Sequence, residues 1–384
     1  MKKTIRIGIA GFGYMGKTHT YAYSTIPFFY KQLPFRTELA GVCSRTISKA
    51  EEAKELYGFG FATDDYDELV NRKDIDVINI CTPNNLHKEM IIKAIRNGKN
   101  IYCDKPLAIN FPEAEEIMAA AGVSPGTVFG MTMQNRFFPA TMKAKQLMDE
   151  GFTGRVLSFR ACYLHSSLAD PDKKPGWKQD AAISGGGALV DLGSHIFDLI
   201  YHLMGEYQEI YAKTDIVHPE RTDASGIKVR VTGEDKIICM VRMKNGALGT
   251  IEASKVATGV NDEMRFEIHG IKGAMKFNIK DADRLDIYDN TAADGPLGGK
   301  KGYSGIDCIQ KYPEPGGEFP NPRLSIGWIR SHVACLYNFL DGVYKGKSNR
   351  PDMMDGAYIQ YVMEKAYESD RLDRWVRLER GYHI

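Results

Sequence analysis

Short, almost wholly apolar runs separated by amphipathic stretches set the rhythm of the first third of the chain. Residues 5–10 (IRIGIA), 38–44 (ELAGVCS), 76–81 (DVINIC), 100–104 (NIYCD) and 127–134 (TVFGMTMQ) read as strands. The near-continuous hydrophobicity of DVINIC is what a parallel strand covered on both faces requires. Residues 46–57, 86–97 and 112–121 have helical spacing between these strands, and Gly98 is a natural stop for the second of them. This alternation predicts an α/β domain over 1–135 of the Rossmann type, a doubly wound parallel sheet. After Phe138 the pattern changes. Residues 139–150 look helical, 155–165 (RVLSFRACYLH) form a strand, and β-type segments dominate from about residue 208. Asn245-Gly246 and His269-Gly270 mark hairpin turns. An α+β domain over 136–384, with a large and mostly antiparallel sheet, follows from this. Residues 328–344 and 353–369 return to helix, and the Gly- and Pro-rich stretch 289–322 reads as a long loop, a lid or mobile segment.

Composition narrows the options. A formal net charge of +1 gives no overall field that favours nucleic acid or an anionic membrane. No apolar run approaches the ~18 residues of a membrane span. The opening MKKTIRIGIAGFG reaches its glycines too early for a signal peptide, so it reads as the first strand of a cytoplasmic protein. Seven widely spaced cysteines without a C-x-x-C read as small buried hydrophobes, neither disulfides nor a metal site.

Two motifs carry chemistry. The first is Gly11-x-Gly13-x-x-Gly16, including Phe12, Tyr14 and Met15, directly after the first strand. In that context the first glycine makes a tight turn, the second admits a pyrophosphate close to the backbone, and the third lets helix and strand pack. The second is GGGALVDLGSHIFDL, in which Asp191 and His195 stand four apart on an expected helix and so share a face. Two ionisable groups in such an apolar helix can be core groups with satisfied hydrogen bonds, or can grip one substrate.

The segment from Asp76 to Ala108, with its Thr82-Pro83-Asn84 turn, His87, and the strand closing in Asp104-Lys105-Pro106, resembles the core signature of the Gfo/Idh/MocA oxidoreductases, the glucose-fructose oxidoreductase and inositol dehydrogenase family. The pattern Asp191, Gly193, His195, Asp198 fits the same family, although Asp104 stands where glutamate is commoner. The resemblance implies catalysis by Lys105, Asp191 and His195, converging from the two domains on one carbinol. It implies cofactor contacts from the glycine turn, Thr82, Pro83, Asn84, His87, Asp104, Lys105, Asn135, Trp177 and Lys178. Substrate contacts would come from Lys105, Arg136, Tyr163, His165, Asp191 and His195. The residue chemistry agrees: neutral His195 can take a hydroxyl proton and Lys105 can hold the oxygen. A lysine closing a parallel strand stands where ligands bind in such sheets.

The expected activity is hydride transfer between NAD or NADP and a carbinol carbon of a sugar, sugar derivative or inositol, without a metal. Strand two ends in Ser44-Arg45 with no carboxylate, which leans toward NADP through a 2′-phosphate contact; adenine stacking by Arg45 is the competing reading. A non-catalytic dinucleotide sensor of the same fold, or a reductase of imines or aldehydes, are the alternatives. The antiparallel sheet offers a face for a homodimer or homotetramer.

Overall fold

The computed structural model describes residues 2–124, 126–308 and 327–379. These fall into two compact units, one made of residues 2–137 with 327–360, the other of 138–308 with 361–379.

The first unit is built on β1 (Lys3–Ala10), α1 (Tyr14–Phe29), β2 (Phe35–Cys43), α2 (Ile47–Tyr57), β3 (Ala62–Thr63), α3 (Tyr66–Asn71), β4 (Val77–Ile80), α4 (His87–Arg96), β5 (Asn100–Cys103), α5 (Phe111–Gly122) and β6 (Phe129–Met131). The six strands are parallel in the order β3-β2-β1-β4-β5-β6. Strand order therefore reverses between β1 and β4, the switch point outside whose carboxyl ends ligands bind in such sheets. All four residues of β4 are buried, as expected of a strand covered on both faces, and the polar Asn79 among them accepts from the Tyr23 hydroxyl. The short β3 and α3 have no counterpart in the sequence reading, because a two-residue strand carries no usable periodicity.

The second unit has α6 (Pro139–Asp149), β7 (Val156–Leu164), a one-turn α7 (Ala181–Ser184), α8 (Ser194–Met204), and strands β8 (Tyr207–Asp215), β9 (Glu220–Thr222), β10 (Lys228–Arg230), β11 (Lys236–Met243), β12 (Leu248–Ser254), β13 (Glu263–Gly270), β14 (Gly273–Asn278), β15 (Arg284–Asp289) and β16 (Tyr303–Asp307). Nine strands form one sheet, which ends with β17 (Val376–Arg377) beside β8; only the β7–β12 pairing is parallel. Strands β9 and β10 leave this sheet and form a ribbon of their own. Within the expected 289–322 loop, β16 pairs with β15 along the sheet edge. The part of that loop from 309 to 322 lies outside the described residues.

Two long helices close the described chain, α9 (Trp328–Lys345) and α10 (Met353–Leu372). The sequence pattern suggests a single cut after residue 135, whereas the chain returns to the first unit at α9. Val333, Leu336, Phe339 and Leu340 of α9 join the hydrophobic cluster of Ile5, Ile7, Ile26 and Phe35. Tyr337 stacks on Tyr30 with ring centroids 4.0 Å apart. Burial of this kind links residues some 300 positions apart, so no local pattern announces it. None of the seven cysteines forms a disulfide. Among the described residues, no helix is long and apolar enough to cross a membrane.

Candidate active site

The three glycines of the first motif each have a distinct steric reason. Gly11 has φ +90°, and a Cβ there would lie 2.6 Å from the Cys81 carbonyl oxygen. A Cβ on Gly16 would lie 2.3 Å from the Gly11 carbonyl oxygen, so helix and turn meet backbone to backbone. Gly13, by contrast, caps α1 with no described residue within 4 Å of its missing Cβ. Among the described residues no side chain caps the α1 N-terminus, and no acidic residue occupies its first turn. Its N–H groups and positive dipole end are thus available to an anion, and the open side of Gly13 lets one approach. These residues fit a dinucleotide pyrophosphate. Phe12 packs edge-on against Phe59, while Tyr14 is exposed with its ring 6.1 Å from Trp328. Met15 lies in the first turn of α1 beside them.

Ser44 and Arg45 follow β2 at its carboxyl end, half-buried and exposed respectively. Their surroundings are acidic. Burial, with Asp65, Asp64 and Glu68 close by, pushes the adjacent Cys43 thiol up to about 11.

After β4, Thr82 and Pro83 lead into a 3-10 turn at Asn84–Leu86. His87 is fully buried, with Nδ1 2.8 Å from the Pro106 carbonyl oxygen and Nε2 3.1 Å from that of Thr82. Burial pushes the ring below the ordinary histidine value, against the pull of the Pro106 carbonyl. His87 thus ties together the loops that follow β4 and β5, its ring lying between the Pro106 and Thr82 carbonyls within the turn expected to run along the cofactor. The segment it braces carries Asp104, whose Oδ1 accepts from the Lys105 backbone N–H at 2.9 Å, and the half-buried Lys105, joined to Pro106 by a cis peptide bond.

Asn135 and Arg136 lie in a 3-10 turn after β6, and both are buried. The Arg136 guanidinium is 3.1 Å from Asp355 Oδ1, with both side chains almost fully enclosed. Burial alone would raise Asp355, but Arg136 and Arg350 hold it below the ordinary carboxylate value. Arg136, expected as a substrate contact, here sets a buried guanidinium against a fully buried carboxylate.

In the second unit the Asp191–His195 motif is not the plain α-helix its spacing suggests. Leu189–Gly193 winds as a π-helix, and α8 begins only at Ser194. The Ser194 hydroxyl donates to the Val190 carbonyl at 2.7 Å. Single π-turns within helices are rare and concentrate at functional sites. Asp191 is half-buried, and His195 is buried with its ring 5.9 Å from that of Tyr163. Tyr163 is itself buried, which holds its hydroxyl well above the ordinary tyrosine value, with Asp262 adding to the effect. The His165 ring lies 5.2 Å from Tyr163, and its Nε2 is 3.0 Å from Asp262 Oδ1. The structure thus gathers Tyr163, His165, Asp191 and His195 in one unit, as the sequence suggested.

Trp177 and Lys178 occupy a 3-10 turn, and the Lys178 Nζ donates to Asp191 Oδ1 at 2.7 Å. Lys178 was read as a cofactor contact, and its observed partner is the Asp191 carboxylate. A further group escaped the sequence reading altogether. Lys255, one residue beyond β12 and buried, places its Nζ 3.1 Å from Asp191 Oδ2. The signal was present, since Lys255 closes an apolar strand just as Lys105 does.

A dinucleotide cradle at the switch point of a parallel sheet, with a lysine closing a neighbouring strand, defines a nicotinamide-dependent oxidoreductase. Comparison with known proteins sharpens this. Residues 5–129 match the model described as an oxidoreductase family with an NAD-binding Rossmann fold, and residues 141–276 match the GFO/IDH/MocA C-terminal domain. Levoglucosan dehydrogenase of Pseudarthrobacter phenanthrenivorans is 32% identical over 97% of this chain and 98% of its own. Myo-inositol 2-dehydrogenase of Thermotoga maritima is 27% identical over 70% of this chain and 74% of its own. A solved levoglucosan dehydrogenase in complex with NADH and levoglucosan superposes with a TM-score of 0.91 at 32% identity, covering 98% of this chain and all of that one. The chain belongs to the Gfo/Idh/MocA oxidoreductase family. It is an NAD(P)-dependent dehydrogenase of the sugar and inositol type, acting on CH–OH groups.

Proposed function

We propose that this protein oxidises one secondary hydroxyl of a neutral, pyranose-like sugar, with levoglucosan and its relatives the first compounds to try. The observation that carries this reading is Asp191, held in a π-turn one turn before His195 and flanked by two ammonium groups. A carboxylate can accept hydrogen bonds from neighbouring hydroxyls, which suits a polyol better than an apolar alcohol. His195 takes the proton of the reacting hydroxyl, and Lys105 donates a hydrogen bond to its oxygen. The nicotinamide, when bound, supplies the hydride acceptor. Gly11, Gly13, Gly16 and the start of α1 hold the pyrophosphate.

NAD is the proposed cofactor, in preference to NADP. Arg45 can stack on the adenine or meet a 2′-phosphate. The carboxylates of Asp64, Asp65 and Glu68 near the end of β2 set a negative potential that opposes added phosphate charge. The levoglucosan dehydrogenases of similar structure carry NADH. A homo-oligomer and a cytoplasmic location complete the proposal.

The test is a turnover screen of levoglucosan, aldoses and inositols with NAD and NADP, run beside Lys105→Ala and His195→Ala. Wild-type turnover of one of these sugars that collapses in both variants is expected. Activity persisting in both would refute the assigned roles.

A further inference from the structure

Asp191 does not stand alone in the second unit; a frame of buried groups fixes the backbone just ahead of it. The Glu234 carboxylate accepts the Gly187 N–H at 2.9 Å and the Leu189 N–H at 2.8 Å. The Tyr367 hydroxyl donates to that same carboxylate at 3.0 Å. The contact leaves no room for side chains in the glycine run. A Cβ on Gly186 would lie 1.9 Å from the Tyr367 hydroxyl, and one on Gly187 1.9 Å from the Glu234 carbonyl oxygen. Lys255 completes the frame from the other side, its Nζ 3.5 Å from the Gly187 carbonyl oxygen and 3.1 Å from Asp191 Oδ2.

The two lysines on Asp191 differ in kind. Lys178 keeps nearly half of its side chain exposed, so its pairing is screened by water. Lys255 has 4% of its side chain exposed and is tied in place through its backbone: its N–H donates to the Asp235 carbonyl at 2.8 Å, and its carbonyl accepts from the Leu168 N–H at 2.8 Å. A buried ammonium is costly unless a countercharge meets it. The carboxylate that meets this one belongs to a residue the reaction uses.

We infer that Lys255 is a positioning residue for the dehydrogenase reaction: it holds Asp191 turned so that the carboxylate accepts a substrate hydroxyl. This rests on the reading that Asp191 binds substrate. Lys255 touches neither substrate nor cofactor in this role; it acts through Asp191. The other titratable groups around Asp191 are Lys178 on the preceding turn, His195 on α8, Tyr163 on β7 and Glu234 at the head of the π-turn.

The experiment measures kcat and KM across pH for wild type, Lys255→Gln, Lys255→Arg, Asp191→Asn and the Lys255→Gln/Asp191→Asn pair. NADH binding, followed by nicotinamide fluorescence, is the control for folding and for the other unit; Lys255→Met is the second neutral variant should the Gln variant not fold. Loss of placement should lower kcat/KM of Lys255→Gln roughly 10- to 100-fold with NADH binding unchanged. Lys255→Arg, which keeps the charge, should restore most of that loss, whereas Lys255→Met should not. In the Asp191→Asn background, Lys255→Gln should cost almost nothing further. Wild-type kcat/KM in Lys255→Gln would overturn the inference, as would a Lys255→Gln loss that persists in full without the Asp191 carboxylate. Failure of the parent reading looks different: Asp191→Asn itself would then turn over sugar at the wild-type rate.

Discussion

Substituting alanine at Gly13 and at Gly16 should separate ligand approach from packing within one motif. At Gly16, alanine ordinarily favours a helix by about 1 kcal/mol. Here its methyl would lie 2.3 Å from the Gly11 carbonyl oxygen, a backbone atom that cannot swing away. Overpacking of this kind costs about 1–3 kcal/mol or more, so the net effect is loss of stability. At Gly13 the new methyl meets nothing among the described residues. Restricting the unfolded chain stabilises by roughly 0.4–1 kcal/mol. Alanine is a poorer N-cap than glycine by a similar amount. The two effects nearly cancel, leaving stability within about 1 kcal/mol of wild type. The methyl instead occupies the open side where the pyrophosphate meets the α1 N-terminus. Losing one charge-assisted hydrogen bond there costs about 1.5–3 kcal/mol, roughly a 10- to 150-fold rise in Kd. Urea unfolding and NADH fluorescence titration read the two quantities separately. Gly13→Ala that binds NADH as wild type does, or that destabilises as much as Gly16→Ala, would refute the reasoning.

Other expectations concern charge. Arg136→Met should destabilise by about 3 kcal/mol, the low end for breaking a buried pair, because Arg350 still meets Asp355; an unchanged urea midpoint would contradict a scaffold role. Asp355 titrates below its unfolded value of 3.8, so its stabilisation is present above that pH and is lost as pH falls through the lower folded value. Asp355→Asn should therefore flatten the fall in Tm below about pH 3.8, and an equally steep fall in the variant there would argue against it. Asp64→Asn should shift kcat/KM toward NADP relative to NAD by up to about 5-fold, the size of an exposed charge effect; no shift would remove Asp64 from cofactor choice.

The parts of this account that were legible in the sequence are those whose physics is local. The three glycines could be read because their reasons, a left-handed φ, an open cap and a backbone contact, act within six residues. Strands β1, β4 and β5 could be read because burial leaves runs that are mostly apolar and interrupted by single polar residues. The chain positions of Asp191 and His195 were equally plain. Their π-turn was not, because Glu234, which grips its start, lies 47 residues from Gly187. The partner of Arg136 was hidden for the same reason, since Asp355 is more than two hundred positions away. So was the tie of His87 to the Pro106 carbonyl, which the adjacent strand brings near. The role of Lys255 was hidden because its partner, Asp191, lies 64 residues earlier in the chain.

The most direct measurement of the central claim compares turnover of the best sugar by Lys105→Ala, His195→Ala and the double variant. If both groups act on one hydroxyl, the double variant should lose no more than the worse single one, because groups that act as a unit are strongly non-additive. Losses that multiply, or a single variant at the wild-type rate, would contradict a shared reaction centre.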